Sequence, residues 1–277
     1  MLPLLFIAGL GVGLLANSLA DNLPPDENDI RHPPRRPCCR HCGQTHRLGY
    51  WLASAGFLFR RGRCEHCAAP RPWRPLIVEL LTAISLAYLW LWAGQAGGSL
   101  LEVSGRFLAA SVVVVIFIVI TVIDIEHRLI LWGVVWPAGL AIAIIGIVTP
   151  DRGAAKTLLG GLAGYGITLG IFLFAELYAR IVKLARGQAL EEVAFGGGDV
   201  NLAAVVGFTV GWPGVILALT IAILAGGVFS LIYIVLQLAR GRYVPHSAVP
   251  YGPFLVLGAL VIYLYGQDLA ALWLAGR

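Results

Sequence analysis

Two aspartates stand where long apolar segments of the chain meet polar ones, and their side chains together could carry out acid–base chemistry. Asp124 closes the apolar run SVVVVIFIVITVI, and Asp199, 75 positions later, opens another apolar segment. A carboxylate beside a membrane-length apolar run is costly unless it is partnered or functional. Peptide hydrolysis by two carboxylates needs one ionised and one protonated group, a state that burial and mutual repulsion produce. We therefore predict that Asp124 and Asp199 are the catalytic pair of a membrane-embedded aspartyl protease.

Three glycines lead into the second aspartate. Gly196, Gly197 and Gly198 have no Cβ, so they tolerate positive φ and let another backbone or a substrate strand approach closely. The same pattern also occurs as a plain entry turn of a helix. Because this run ends on a carboxylate, we interpret it as an active-site loop.

The composition indicates a membrane protein. Of the 277 residues, 58% are hydrophobic and only 13% are charged, and the mean hydropathy is +0.82. These values lie well outside those of soluble domains, so we predict an all-α polytopic membrane protein. The net charge of +5 comes from basic residues clustered in particular loops. That clustering favours a topological signal over a phosphate-binding face, and no nucleic-acid partner is expected.

The apolar runs predict eight transmembrane helices. They cover residues 1–20, 76–92, 107–123, 129–149, 157–182, 200–212, 213–238 and 251–274. Alternating crossings put sixteen of the twenty Lys and Arg residues on one side, which the positive-inside rule identifies as the cytoplasm. Both aspartates then face the cytoplasm. No basic residue precedes the first run, which favours an uncleaved anchor over a signal peptide. Glu79 and Glu176 lie close enough to helix ends for their carboxylates to reach the membrane interface.

The cysteines predict a metal site in the one long polar segment. Cys39 and Cys42 form one C-x-x-C pair, Cys64 and Cys67 form another, and 21 residues separate the pairs. Four thiolates at this spacing indicate a closed, structural Zn²⁺ site. The alternative is two disulfides, which would require an oxidising compartment, whereas the charge pattern places this segment in the cytosol. Cys38 is left over.

These features divide the chain into three predicted parts. Residues 1–20 form the first transmembrane helix, 21–75 form a cytoplasmic, zinc-ribbon-like loop with four cysteine ligands, and 76–277 form the membrane helices of the protease. Three histidines of the loop could replace a cysteine as a ligand, but histidines in a basic polar segment are more often solvated.

Several stretches resemble the type IV prepilin leader peptidases, the bacterial branch of the GxGD membrane aspartyl proteases. GGGD at residues 196–199 is similar to the GxGD signature, and DIEHRLI at residues 124–130 is similar to the motif around the first aspartate. The paired C-x-x-C loop fits the cytoplasmic segment of that family. WRPLIVELLTA and VPYGPFLVLGA are similar to family stretches beside the second and last helices. The resemblance spans nearly the whole chain.

The resemblance implies a substrate and a second activity. It implies cleavage of type IV prepilins and type II secretion pseudopilins after a short basic leader, just before an apolar helix. It also implies N-methylation of the new N-terminus with S-adenosylmethionine, and residence in the bacterial inner membrane. Asp124 and Asp199 match the two catalytic positions of the family.

Two other classes of function remain open at this point. A proton-coupled transporter would use membrane aspartates as an ion relay, but no internal repeat of the kind common in transporters is evident. A membrane-anchored zinc-ribbon adaptor would work through the cysteine loop, but it would leave the contexts of Asp124 and Asp199 unexplained.

Overall fold

The computed structural model describes residues 1–24, 37–39, 41–150, 152–186, 196–241 and 250–275, and only the backbone at 183–186 and 268–275. Within these ranges the regular structure is helical, apart from two isolated β-bridges. The α-helices are α1 (Leu2–Asn22), α2 (Ala53–Arg60), α3 (Arg74–Gln95), α4 (Leu100–His127), α5 (Trp132–Val148), α6 (Gly153–Arg186), α7 (Gly197–Val210), α8 (Gly214–Ala239) and α9 (Gly252–Ala275). The chain divides into two compact units, Met1–Ile123 and Asp124–Arg277.

Eight of these helices coincide with the eight predicted apolar runs. Helices α1, α3, α4, α6 and α8 are long and apolar enough to cross a membrane. The shorter apolar helices are α5, α7 and, over the residues whose side chains the structure describes, Gly252–Gln267 of α9. The protein is therefore an all-α polytopic membrane protein, as the composition predicts. Helix α7 has 14 residues and measures about 21 Å, which is less than the roughly 30 Å of a hydrocarbon core.

In the first unit, α1 and α3 pack closely because α1 presents glycines to α3. A Cβ on Gly9 would lie 2.5 Å from the Cα of Ala83, and a Cβ on Gly13 would lie 2.6 Å from the Cα of Glu79. Without these atoms the two backbones approach to a distance that a larger residue would prevent. Small residues at the interface of two membrane helices commonly permit such packing.

The prediction that Glu79 extends its carboxylate from the helix end toward the membrane interface was wrong, because protein encloses the side chain. Its side chain is fully buried, and its two carboxylate oxygens accept hydrogen bonds from the N–H groups of Ala53 (2.7 Å) and Ser54 (2.8 Å). These groups are the first two N–H donors of α2, which have no partner within their own helix. Glu79 thus holds the start of α2 against α3. By contrast, Glu176 pairs with exposed Arg180 one turn further along α6, as an interfacial residue would.

In the second unit, α7 is the central helix and packs against α5, α6, α8 and α9. Leu202, Ala203 and Val206 of α7 have no exposed surface. Its closest neighbour is α6, because a Cβ on Gly164 would overlap the carbonyl oxygen of Ala203, and one on Gly207 would overlap that of Gly160. The glycines therefore let α7 sit against the backbone of α6, and its N-terminus carries Asp199.

Candidate active site and metal centre

Asp124 lies in the last turn of α4 and is the first residue of the second unit. It is only 4% exposed, and its Oδ2 accepts a hydrogen bond of 3.0 Å from the N–H of Gly252. Gly252 is the first residue of α9, where N–H groups lack helical partners. A Cβ on Gly252 would lie 2.5 Å from the same oxygen, so only glycine leaves room for the carboxyl group.

Asp199 is the third residue of α7 and caps its own helix. Its Oδ2 accepts a hydrogen bond of 3.1 Å from the N–H of Gly196, and its N–H donates one of 3.1 Å to the carbonyl of Gly196. This reciprocal pair resembles a capping box. The prediction that Asp199 begins a helix and Asp124 ends one is confirmed. The residue is half-buried.

The glycine loop works through close approach rather than through left-handed backbone. None of Gly196, Gly197 and Gly198 has positive φ. A Cβ on Gly198 would lie 2.7 Å from the Cβ of Ile130, whereas one on Gly197 would meet nothing within 4 Å. Gly198 therefore lets the loop after α4 pack directly on the first turn of α7, and Gly197 faces open space.

The two carboxyl groups belong to one site. They are close enough for the charge of Asp124 to act on Asp199, and the charge of Asp199 acts in turn on the hydroxyl of Tyr251. Two nearby carboxyl groups repel each other when both are ionised, which favours a state in which one of them is protonated. The ends of α4, α7 and α9 thus meet at a site suited to general acid and general base catalysis.

Tyr251 and Gly252 were not predicted from the sequence as part of the site. Their stretch, VPYGPFLVLGA, stands out in the sequence only by its resemblance to a family motif. The usable signal was the glycine–proline pair at the start of an apolar run, because this pattern marks a helix N-terminus whose free N–H groups attract a carboxylate.

The four predicted cysteine ligands come together in the first unit. Cys39, Cys42, Cys64 and Cys67 place their Sγ atoms within 4.8 Å of one another, which confirms the predicted cluster. The shortest separations are 3.7 Å between Cys39 and Cys67 and 3.9 Å between Cys42 and Cys64. They exceed a disulfide bond of about 2.05 Å, so the four residues are thiols. Cys38 is exposed and outside the cluster.

Two similar turns present these cysteines. In the first, the N–H of Cys39 donates to the carbonyl of Gln44, and Gly43 adopts left-handed φ. In the second, the N–H of Cys64 donates to the carbonyl of Ala69, and Ala68 adopts left-handed φ. The turns share the sequence pattern C-x-H-C, a short repeat that was readable beforehand.

The cluster suits a tetrahedral metal ion. A Zn–S bond of about 2.3 Å gives sulfur–sulfur separations of roughly 3.8 Å, close to the two shortest observed. The N–H of His41 lies 3.4 Å from Cys39 Sγ, and that of His66 lies 3.4 Å from Cys64 Sγ. The hydrogen bond from His66 lowers the pKa of the Cys64 thiol to about 6, which favours the thiolate that binds metal.

Comparison with known proteins finds matches in both units of the chain. Residues 111–231 match the family described as the type IV leader peptidase family, and residues 7–93 match the bacterial peptidase A24 N-terminal domain. The chain belongs to the type IV leader peptidase family. In this family member, both aspartates lie in the match at residues 111–231, and all four clustered cysteines lie in the match at residues 7–93. Gly252 lies outside both matches.

Three relatives of this leader peptidase carry the name prepilin leader peptidase/N-methyltransferase. The protein from Aeromonas hydrophila is 25% identical, with 98% of this chain and 93% of the relative aligned. That from Bacillus subtilis is 26% identical over 99% and 98%, and that from Burkholderia pseudomallei strain 1026b is 29% identical over 89% and 72%. No solved structure matches the chain. The alternative prediction of a proton-coupled transporter finds no support in these relatives.

Proposed function

We propose that this leader peptidase cleaves type IV prepilins and type II secretion pseudopilins with Asp124 and Asp199 as its catalytic pair. The observation that carries the proposal is that Asp124 and Asp199 lie at the adjoining ends of α4 and α7, each with one carboxylate oxygen held by a backbone N–H. The matching names of relatives that align over nearly their whole length support prepilins as the substrate class.

The pair divides the proton transfers of hydrolysis between its members. The ionised carboxylate takes a proton from a water molecule as the water oxygen bonds to the scissile carbonyl carbon. The protonated carboxyl gives its proton to the carbonyl oxygen, which produces a tetrahedral diol. When the diol collapses, the carbon–nitrogen bond breaks, a hydroxyl proton returns to the pair, and the leaving nitrogen receives a proton from the other carboxyl.

The helix ends favour one assignment of the proton. Asp199 lies at the positive N-terminal end of α7, which stabilises an ionised carboxylate. Asp124 accepts a hydrogen bond from an N–H at the start of α9, which also favours ionisation, but it lies at the negative C-terminal end of α4, which opposes it. We propose that Asp124 holds the shared proton in the free enzyme for the larger fraction of time, with Asp199 as the base.

The location of the site follows from charge. Sixteen of the twenty basic residues fall on the side to which both aspartates were assigned, so we place the active site at the cytoplasmic face of the bacterial inner membrane. The substrate's apolar helix then enters from the lipid, and its basic leader stays in the cytoplasm. Residues 76–277 form the protease helices in this proposal.

The loop within residues 21–75 has a structural role in the proposal. Cys39, Cys42, Cys64 and Cys67 hold Zn²⁺, which stabilises two turns that have few apolar contacts of their own. The second activity in the relatives' names leads us to propose that the chain also methylates the new N-terminus, with S-adenosylmethionine supplying the methyl group.

Cleavage of a prepilin by the detergent-solubilised full chain tests the proposal. Asp124→Asn, Asp124→Ala, Asp199→Asn and Asp199→Ala should each lower the rate by at least about 10²- to 10⁴-fold, because each removes one proton carrier. Glu126→Gln is the matched control: Glu126 is an exposed acid in the same turn of α4, and its variant should keep the wild-type rate. Leader removal by either aspartate-to-alanine variant would contradict the shared site.

Methyl transfer is tested separately with a labelled methyl donor and the cleaved product. Label on the product N-terminus supports the second activity. Its absence, with cleavage intact, removes the methyltransferase from the proposal and leaves the peptidase.

A further inference from the structure

An exposed surface at the end of α2 combines large apolar side chains with arginines. Leu58 and Phe59 are 77% and 73% exposed. Arg60, Arg61 and Arg63 follow them in the chain and are exposed as well. We call these five residues the α2 tip. These two apolar side chains lie in the segment between α1 and α3, directly beside the arginines in the chain.

The backbone fixes the shape of the tip. Arg61 adopts a left-handed conformation with φ 51° and ψ 35°, and its N–H donates to the carbonyl of Gly56. The N–H of Gly62 lies 3.2 Å from the same carbonyl oxygen. These hydrogen bonds end the helix with a left-handed cap. The arginines are therefore held beside the apolar side chains of the last turn.

The start of α2 is tied to the first turns of α3. Glu79, which accepts hydrogen bonds from the first N–H groups of α2, is the sixth residue of α3 and lies about 8 Å along its axis. The ring of Phe57 packs on Trp73, the residue before α3, with centroids 4.6 Å apart. Helix α2 therefore lies alongside the first two turns of α3.

These first turns mark the surface of the membrane. Both α1 and α3 are long and apolar enough to cross a bilayer, and their adjoining ends are joined by an ion pair of 2.6 Å between Asp21 and Arg74. Trp73 at this level is 66% exposed, and exposed tryptophan is typical of the membrane interface. Helix α2 thus lies at the level of Trp73 and of the Asp21–Arg74 ion pair.

The charge of the tip complements anionic headgroups. The nearest acid of the cysteine turns is Glu65, whose side chain is 6% exposed and lies 3.8 Å from both His46 and Arg47. The exposed charge at the tip is therefore positive. Arginine binds phosphate oxygens with two parallel N–H donors, and apolar side chains of interfacial helices insert between acyl chains.

We propose that the α2 tip is an interfacial anchor, which inserts Leu58 and Phe59 into the bilayer and binds anionic phospholipid headgroups through its arginines. This anchor is independent of the peptidase reaction. The segment that carries the cysteine cluster is already attached to the membrane by its two flanking helices, and the anchor adds a further attachment.

Photo-crosslinking of the full chain in lipid nanodiscs tests the anchor. Phe59 is replaced by p-benzoylphenylalanine, and the discs contain phosphatidylcholine with a minor fraction of phosphatidylglycerol. Mass spectrometry of the adducts should show phosphatidylglycerol in excess of its share of the lipid. Arg61→Gln should lower that excess roughly two- to fivefold, as expected for one arginine at a charged membrane surface. The matched control is Arg47→Gln, which removes an exposed arginine outside the tip and should leave the excess unchanged.

Four results would overturn the proposal. They are adducts in the bulk lipid ratio, adducts with a second copy of the chain, adducts with added prepilin in place of lipid, and no adduct at all. Each variant is first checked for a wild-type melting temperature, and Phe59→Trp with brominated lipids gives a second measurement of insertion if the photo-reactive variant does not fold.

Discussion

At the scale of single residues, the site depends on backbone donors rather than on partner side chains. The N–H of Gly252 holds one oxygen of Asp124, and the N–H of Gly196 holds one oxygen of Asp199. A donor in the backbone cannot leave by a rotamer change, so each carboxyl keeps its orientation; in the proposed reaction its other oxygen would meet water and substrate. Preorganised groups of this kind contribute directly to catalysis.

Substitution of the glycines should therefore change the position of the catalytic carboxyl groups while leaving the groups themselves unchanged. Gly198→Ala places a Cβ 2.7 Å from the Cβ of Ile130, close to the backbone of that residue, so the first turn of α7 must shift. We expect a roughly 10- to 100-fold loss of the rate of leader cleavage, since small misplacements of catalytic groups have effects of this size.

Gly197→Ala is the matched control for that variant. The added Cβ meets nothing within 4 Å, and the residue is exposed in the first turn of a helix. We expect cleavage within about twofold of wild type, as for other unconstrained surface positions. Rates and melting temperatures of both variants check the prediction, and equal losses of rate in the two would contradict it.

Sequence reasoning reaches the aspartates of this site but not their surroundings. Asp124 and Asp199 stand out because a carboxylate beside an apolar run is rare and costly. The donor from Gly252 comes from 128 positions away, and the contact of Gly198 with Ile130 depends on how α7 meets the loop after α4. Such pairings arise from tertiary packing, which the local pattern does not encode.

At the scale of elements, the close packing of α7 on α6 determines the position of Asp199. Gly164→Ala would drive a Cβ into the carbonyl oxygen of Ala203 and push the two helices apart. We expect a loss of roughly 1–3 kcal/mol in the free energy of unfolding, as for other overpacked interfaces, together with slower leader cleavage.

Gly166→Ala lies on the exposed face of the same helix and should instead raise the free energy of unfolding. Its Cβ meets nothing within 4 Å, and alanine is favoured over glycine in a helix by up to about 1 kcal/mol. Denaturant unfolding in detergent micelles measures both variants. A Gly166→Ala protein as destabilised as Gly164→Ala would show that the close approach is not the cause.

Glu79 gives a second prediction at this scale. Glu79→Ala leaves the N–H groups of Ala53 and Ser54 without their acceptors, at a cost of roughly 1–3 kcal/mol for each buried donor. We expect α2 to lose protection from hydrogen exchange, and Glu79→Gln, which keeps one carbonyl oxygen, to lose less. Glu176→Gln is the control, since Glu176 pairs only with a nearby exposed arginine on its own helix, and unchanged exchange of α2 in Glu79→Ala would contradict the capping role.

The helices differ in how well they could be predicted from the sequence. Eight helices followed from apolar runs because hydrophobicity is summed over many neighbouring residues and needs no knowledge of the rest of the fold. Helix α2 lies in the segment taken as a polar loop, and it has only eight residues. Isolated helices of that length are unstable in water, and this one depends on a cap supplied by Glu79 from another helix. Its existence therefore could not be read from ASAGFLFR alone.

At the scale of the whole molecule, the two candidate sites fall in different units of the chain. Asp124 and Asp199, with their backbone donors, lie in Asp124–Arg277, and the cysteine cluster lies in Met1–Ile123. Each unit has its own buried side chains: Leu89 is one example in the first and Leu202 in the second. Because the hydrogen bonds described for the two aspartates come from Gly252 and Gly196, loss of metal should affect the two sites unequally.

Cys64→Ser tests this separation. Serine is a poor zinc ligand, so bound zinc should fall from about one equivalent to less than about half, and the turns at 37–71 should become sensitive to protease. Leader cleavage should remain at least about tenfold above that of Asp124→Ala, because the proton carriers are unchanged. Cys38→Ser is the control, since Cys38 is exposed and outside the cluster, and it should keep its zinc. Should Cys64→Ser cleave as slowly as Asp124→Ala while its helices remain folded, the cysteine turns would have to take part in the peptidase reaction itself.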